Sequence, residues 1–101
     1  MKTLYLTVKK GWLDLYIQGE KTVEYRAKSA WITSRLIDGK TGKPKHYDIV
    51  EFRDGYNANS RKIQMKYNGF YVAYSPATFT YSNNLWFEVK KGDYVIKLIK
   101  L

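Results

Sequence analysis

The sequence predicts a mainly β (α+β) fold, a small open barrel of five to seven short strands with one or two short helices. Three observations predict it. Several short runs alternate apolar and polar residues with the period of two that marks a half-buried strand. Glycine, asparagine and aspartate punctuate those runs at short intervals, as turns between strands require. The chain has 101 residues, the size of one domain, and closing so small a sheet on itself removes the exposed edges that invite aggregation. Residues 1–101 therefore read as a single domain without repeats, low-complexity tracts or a linker.

Residues 3–8 put Leu4, Leu6 and Val8 on one face and Thr3, Tyr5 and Thr7 on the other, a first strand. From residue 10 the period changes. Trp12, Leu13, Tyr16 and Ile17 recur at helical spacing, Asp14 and Gln18 stay polar, and Gly19 is placed to end a helix of about two turns. Residues 22–26 form a second strand, with Val23 and Tyr25 facing one way and Glu24 and Arg26 the other. Residues 29–37 read as a second short helix with Ser29 as N-cap and Trp31, Ile32, Arg35 and Leu36 along a face, although Trp, Ile and Thr also suit strands. Asp38 to His46 is a loop. Residues 47–53 make a third strand, Val50 and Phe52 opposing Ile49, Glu51 and Arg53, and Asp54 to Asn59 turn the chain. Residues 61–67 point Ile63, Met65 and Tyr67 inward and Lys62, Gln64 and Lys66 outward. Asn68-Gly69 is the strongest short hairpin signal and predicts that Phe70 to Tyr74 pair back on the fourth strand. Residues 75–84 have no clear period and read as loop, Leu85 to Val89 as a short strand and, after a turn at Gly92-Asp93, Tyr94 to Leu101 as the closing strand.

The absence of cysteine excludes disulfide frameworks, thiolate zinc sites and cysteine nucleophiles. The one histidine, His46, lies in the loop-like Lys43-Pro44-Lys45-His46 and cannot build a metal site alone, so no metal and no cofactor is expected. The first residues lack the continuous apolar core of a signal peptide, and no apolar run approaches the roughly 18 to 20 residues that span a bilayer. The expectation is a soluble, cytoplasmic protein with no membrane partner. Eighteen Lys plus Arg against nine Asp plus Glu give a net charge of +9. That surplus favours a polyanionic partner, because neutralising phosphates releases condensed counterions; solubility alone accounts for a charge of up to about 8 in a small domain.

The segment from Val8 to Arg26 carries the most specific pattern: a strand, a short helix, the turn Gly19-Glu20-Lys21-Thr22, then Glu24-Tyr25-Arg26. It resembles the signature of the ASCH domain family, of the PUA-like group. Val50 to Tyr56 looks like that family's central strand and turn, and residues 94–101 lie where its barrel closes. The resemblance implies a PUA-like β-barrel with a cleft between the barrel and the first helix, lined by the Gly-x-Lys-Thr turn and suited to RNA or modified nucleotides. A branch of ASCH-like proteins deacetylates a modified cytidine with a lysine in that turn, a threonine three residues later and a distant glutamate. Lys21 matches the lysine, but Glu24 stands in the threonine's place. A carboxylate there cannot act as a hydroxyl nucleophile, although Thr22 is near, so the resemblance implies amidohydrolase activity only weakly.

The residues themselves point the same way. Lys21 follows a helix-ending glycine in what reads as an exposed turn, from which its ammonium can reach a cleft. Glu24 and Arg26 project from one strand face and offer an acceptor for base amino groups beside a planar donor for phosphate or a base edge. Glu51 and Arg53 repeat this pattern, and if the two strands are neighbours four charges share a patch beside Tyr56. The candidate nucleic-acid-binding set is therefore Lys21, Thr22, Glu24, Arg26, Glu51, Arg53 and Tyr56, with single-stranded RNA or a nucleotide as partner. If the protein is an enzyme, Lys21 and Glu24 are the catalytic candidates, Lys21 steadying a phosphorane charge and Glu24 acting as general base in a ribonuclease. The plainer alternatives are a ladder of surface ion pairs worth under about 1 kcal/mol each, tyrosines that line a barrel wall with their hydroxyls in water, and a protein-interaction role. A P-loop is excluded, since Gly-x-x-x-x-Gly-Lys does not occur.

Overall fold

The computed structural model describes all residues, Met1–Leu101, and its fold is mainly β with seven strands and two helices. In chain order these are β1 (Thr3–Thr7), α1 (Lys10–Ile17), β2 (Val23–Arg26), α2 (Ala30–Leu36), β3 (Ile49–Arg53), β4 (Lys62–Val72), β5 (Ala77–Thr80), β6 (Trp86–Val89) and β7 (Tyr94–Lys100). Five strands make one sheet, in the order β1-β3-β4-β7-β2, curled into a half-barrel; β5 and β6 make a separate two-stranded sheet. β1 runs parallel to β3, and every other pairing is antiparallel. No helix is long and apolar enough to cross a membrane.

Period-two patterning places the core. Leu4 and Leu6, Val50 and Phe52, Met65 and Tyr67, and Tyr94, Ile96 and Leu98 bury one face of the sheet against Leu13 and Tyr16 of α1 and Ile32 and Leu36 of α2. The Tyr16 ring stacks on Phe52 at 4.2 Å and 11°, which fastens α1 across the sheet by about 0.5–1.5 kcal/mol beyond the area it buries. Ser29 caps α2 as expected, its Oγ accepting from the Ile32 N–H at 3.2 Å. The predicted helix faces shift in detail. Leu15 is buried and Ile17 exposed, because the chain after α1 folds back under Leu15, whose carbonyl accepts from both Glu20 and Lys21. Trp31 and Arg35 stay on the surface, the guanidinium 5.3 Å from the ring centre.

Two expectations are corrected. Asn68-Gly69 does not reverse the chain: β4 runs straight through it for 11 residues, and the register with β7 shifts between Tyr67 and Phe70. Gly69 has φ +83°, which a bulge needs as much as a hairpin turn does. The partner decides between them: Phe70–Val72 pair with Ile96–Tyr94 of β7, which keeps Phe70 against the core. Residues 75–84 are not all loop but contain β5, whose four residues are all exposed, so no burial period marked it. The β5–β6 hairpin instead lays Phe79 and Phe87 on Tyr25, at 5.3 and 5.2 Å, and a small second core of Tyr25, Ala73, Val89 and Val95 forms on the far side of the sheet.

Candidate functional site

β1 and β2 are the two edges of the half-barrel. The curl brings them together so that Arg26 of β2 donates through Nη2 to the Thr7 carbonyl of β1 at 3.0 Å. A cleft opens at this seam, and Glu24 lies at its base. Glu24 Oε1 accepts from the Tyr16 hydroxyl at 2.9 Å and from Lys21 Nζ at 3.3 Å, while Oε2 takes Arg26 Nε at 3.0 Å and Nη2 at 2.8 Å. These four donors match the roughly four lone-pair sites of a carboxylate.

Lys21 is not the exposed turn residue that its sequence context predicts. It is only 3% exposed, because Gly19, at φ +80°, lets the turn fold back until the Lys21 N–H donates to Leu15 at 3.2 Å. The side chain then points inward. Its ammonium lies 4.5, 4.8 and 5.6 Å from the ring centres of Trp12, Tyr16 and Tyr25, a cage that favours a cation once it is desolvated. The β5–β6 hairpin roofs the cage: Ser82 donates twice to the Glu20 carboxylate, Asn83 donates to the Gly11 carbonyl, and Trp12 meets Tyr81 and Phe87 edge-on. Burial pushes the Lys21 ammonium below its ordinary pKa, with Glu24 opposing the shift. Burial also raises the Tyr16 hydroxyl well above its ordinary value, reinforced by the charge and hydrogen bond of Glu24.

Two recesses meet at the seam. The inner one, of about 250 Å³, is lined by Trp12, Lys21, Glu24 and Arg26 among others. The outer groove, of about 460 Å³, is lined by Arg26, Arg53, Thr7, Tyr5, Trp31 and Tyr56. Thr7 and Arg26 border both. Arg53 reaches the outer groove half-exposed; Glu51 is 3.9 Å from its Nε, which is buried without a hydrogen-bond partner. The largest hollow, about 660 Å³ beside α2, is lined by Lys28, Ser29 and Lys45 among others and holds no buried charge.

The four-charge patch does not form. β3 lies between β1 and β4, whereas β2 pairs only with β7. Arg26 and Arg53 meet across the end of β1, but Glu51 turns to Gln64, whose Nε2 donates to it at 3.1 Å. Thr22 is exposed and borders neither recess; its carbonyl accepts from Leu98. Tyr56 is 89% exposed at the groove's rim. Sequence reasoning missed Tyr16 as a partner of Glu24, the cage rings Trp12 and Tyr25, and the groove residues Tyr5, Thr7 and Trp31. The i, i+4 spacing of Trp12 and Tyr16 was a signal, but it equally describes core packing. No three His, Cys, Asp or Glu side chains gather anywhere in the chain. No family model, curated protein or solved structure matches the chain, so the geometry above is the basis for its function.

Proposed function

We propose that this chain is an ASCH-type, PUA-like domain that binds single-stranded RNA or a nucleotide in the outer groove and acts in the cytoplasm. The observation that supports this best is the pairing of two half-exposed guanidiniums, Arg26 and Arg53, with three exposed rings, Tyr5, Trp31 and Tyr56, around one groove. The Arg53 guanidinium, which Glu51 approaches no closer than 3.9 Å, can meet phosphate oxygens; Arg26, its Nε and Nη2 taken by Glu24, forms a fixed basic wall of the groove; and aromatic faces stack bases for roughly 1–3 kcal/mol each. The net charge of +9 supplies long-range attraction for the same ligand. Beneath the groove, Glu24 fixes Arg26 and Lys21 balances the buried charge, so the inner tier acts as a support that holds one guanidinium in place. Fluorescence anisotropy with a labelled oligouridylate tests this reading. Binding is expected to weaken steeply between roughly 50 and 200 mM salt, and Tyr56→Ala to weaken it about tenfold. Absence of binding at low salt would leave the charge to solubility.

A hydrolase acting on RNA or on an acylated nucleoside is the second reading, favoured by Lys21, whose lowered pKa is what proton transfer in a cleft calls for. Against it, Glu24 has no free acceptor to take a proton, and Thr22 does not border the recess. Turnover of either substrate that is lost in Lys21→Arg would favour this reading over plain binding, because arginine cannot release a proton at neutral pH.

A further inference from the structure

We infer that the groove does not end at Tyr5 but continues along the edge strand β1 into a second phosphate-binding recess formed by Lys2, Arg35 and Lys45, so that the ligand is a single strand longer than one nucleotide. The inference rests on the nucleotide-groove reading and extends it. The recess, of about 340 Å³, has Thr3, Leu4 and Tyr5 of β1 on one side and Lys2, Arg35, Lys45 and Tyr47 around it. Tyr5, 60% exposed, borders both this recess and the groove of Arg26 and Arg53. The two form one track beside β1, which from Thr7 back to Thr3 covers about 13 Å at ~3.3 Å per residue.

The three cations are positioned without being neutralised. Lys45 Nζ donates to the Ser34 carbonyl at 2.8 Å, the Lys2 ammonium lies 5.2 Å over the Tyr47 ring, and the Arg35 guanidinium lies 5.3 Å over Trp31. None of them belongs to the five ion pairs of the chain. The neighbouring carboxylates are otherwise engaged: Asp48 accepts from the Lys2 backbone N–H at 2.8 Å, and Asp38, which feels the charge of Lys45, accepts from the N–H groups of Lys40 and Thr41. A carbonyl or a ring orients a cation yet leaves its charge for an anion, whereas a carboxylate would cancel it. Trp31 adds an exposed ring between the two cation groups, since it borders the first groove and carries Arg35 of the second.

The test is the binding of UMP and of oligouridylates of increasing length to the wild-type chain, an Arg35→Gln, Lys45→Gln double variant, a Lys2→Gln variant and Arg53→Gln, each checked for folding by circular dichroism. Affinity should climb with length in the wild type. The double variant should bind UMP like the wild type but lose the gain with length, and its log–log salt slope for the long strand should flatten by about 1.4, at roughly 0.7 per phosphate contact on a single strand. Lys2→Gln, whose ammonium lies over the Tyr47 ring and belongs to no ion pair, should lose about half of that slope and carries the test if the double variant misfolds. Arg53→Gln should weaken UMP and long strands alike. Variants of the recess that keep both the length gain and the full salt slope would overturn the inference while leaving the groove intact. A wild-type chain that binds neither UMP nor any strand would overturn the groove reading and this extension together.

Discussion

The pattern Glu-aromatic-Arg occurs twice, as Glu24-Tyr25-Arg26 in β2 and Glu51-Phe52-Arg53 in β3, and the two copies have opposite fates. The ring in the middle makes the difference. Phe52 belongs to the main core, which turns Glu51 and Arg53 to the other face of the sheet, where they stay partly exposed and loosely paired. Tyr25 belongs to the second core beneath the β5–β6 hairpin, which turns Glu24 inward, where it is 4% exposed and surrounded by donors. Alternation along a strand fixes which residues share a face, but the tertiary partner fixes which face is buried. One copy thereby becomes a rigid support, and the other leaves its arginine available to a ligand.

The largest expected effect breaks this asymmetry at its centre. Glu24→Ala leaves Lys21 buried without its counter-charge and should cost about 3–5 kcal/mol of stability, whereas Glu51→Ala should cost under about 1 kcal/mol. Urea denaturation of the two variants measures both, and equal losses would end the comparison. Tyr16→Phe is next: it removes a hydroxyl whose single proton lies within reach of both Glu24 and the Val23 carbonyl and should cost about 1.5–3 kcal/mol, as for a hydrogen bond to a charged group.

Stability against pH sharpens the same contrast. The folded-state pKa of Lys21 lies below 10.5, so between that lowered value and 10.5 the unfolded chain binds more protons and stability rises with pH. Lys21→Met should flatten this rise in a denaturation series. Burial pushes the Tyr67 hydroxyl up to about 12, so its contribution is complete below pH 10 and is lost as the pH climbs through about 12. The smallest effect concerns the roof of the cage. Hydrogen bonds from Ser82 hold the exposed Glu20 carboxylate below its ordinary pKa, and Ser82→Ala should return it toward that value in an NMR titration while amide exchange quickens in β6.

Much of this architecture was legible where one residue meets one environment. β1 alternates because its two faces differ, β3 does so from Val50 onward, and Ser29 announced α2 because a cap is a local bond; β7 alternates only beyond Ile96, since Val95 is buried in the second core. Where the outcome depended on distant partners the sequence was silent. Asn68-Gly69 correctly signalled a positive φ, but only the pairing with β7 makes it a bulge. Every residue of β5 is exposed, so no period betrayed it. The burial of Lys21 depends on Trp12, Tyr16 and Tyr25 from two elements and on a hairpin some sixty residues later, anchored where Ser82 meets Glu20. Arg26, Arg53 and Tyr56 do border one groove as a candidate set, whereas Thr22 and Glu51 lie outside it and Lys21 and Glu24 lie beneath it.

The central claim, that a single strand lies in the groove between Arg26 and Arg53, is tested most directly by mapping amide and arginine side-chain shifts in the NMR spectrum as an oligouridylate is added. The account predicts the largest changes at Thr7, Arg26, Arg53 and Tyr56 and at the Trp31 indole, with the buried Leu13 and Ile96 unmoved. Changes confined to the basic stripe of Lys62 and Lys66 on β4, or none at low salt, would contradict it.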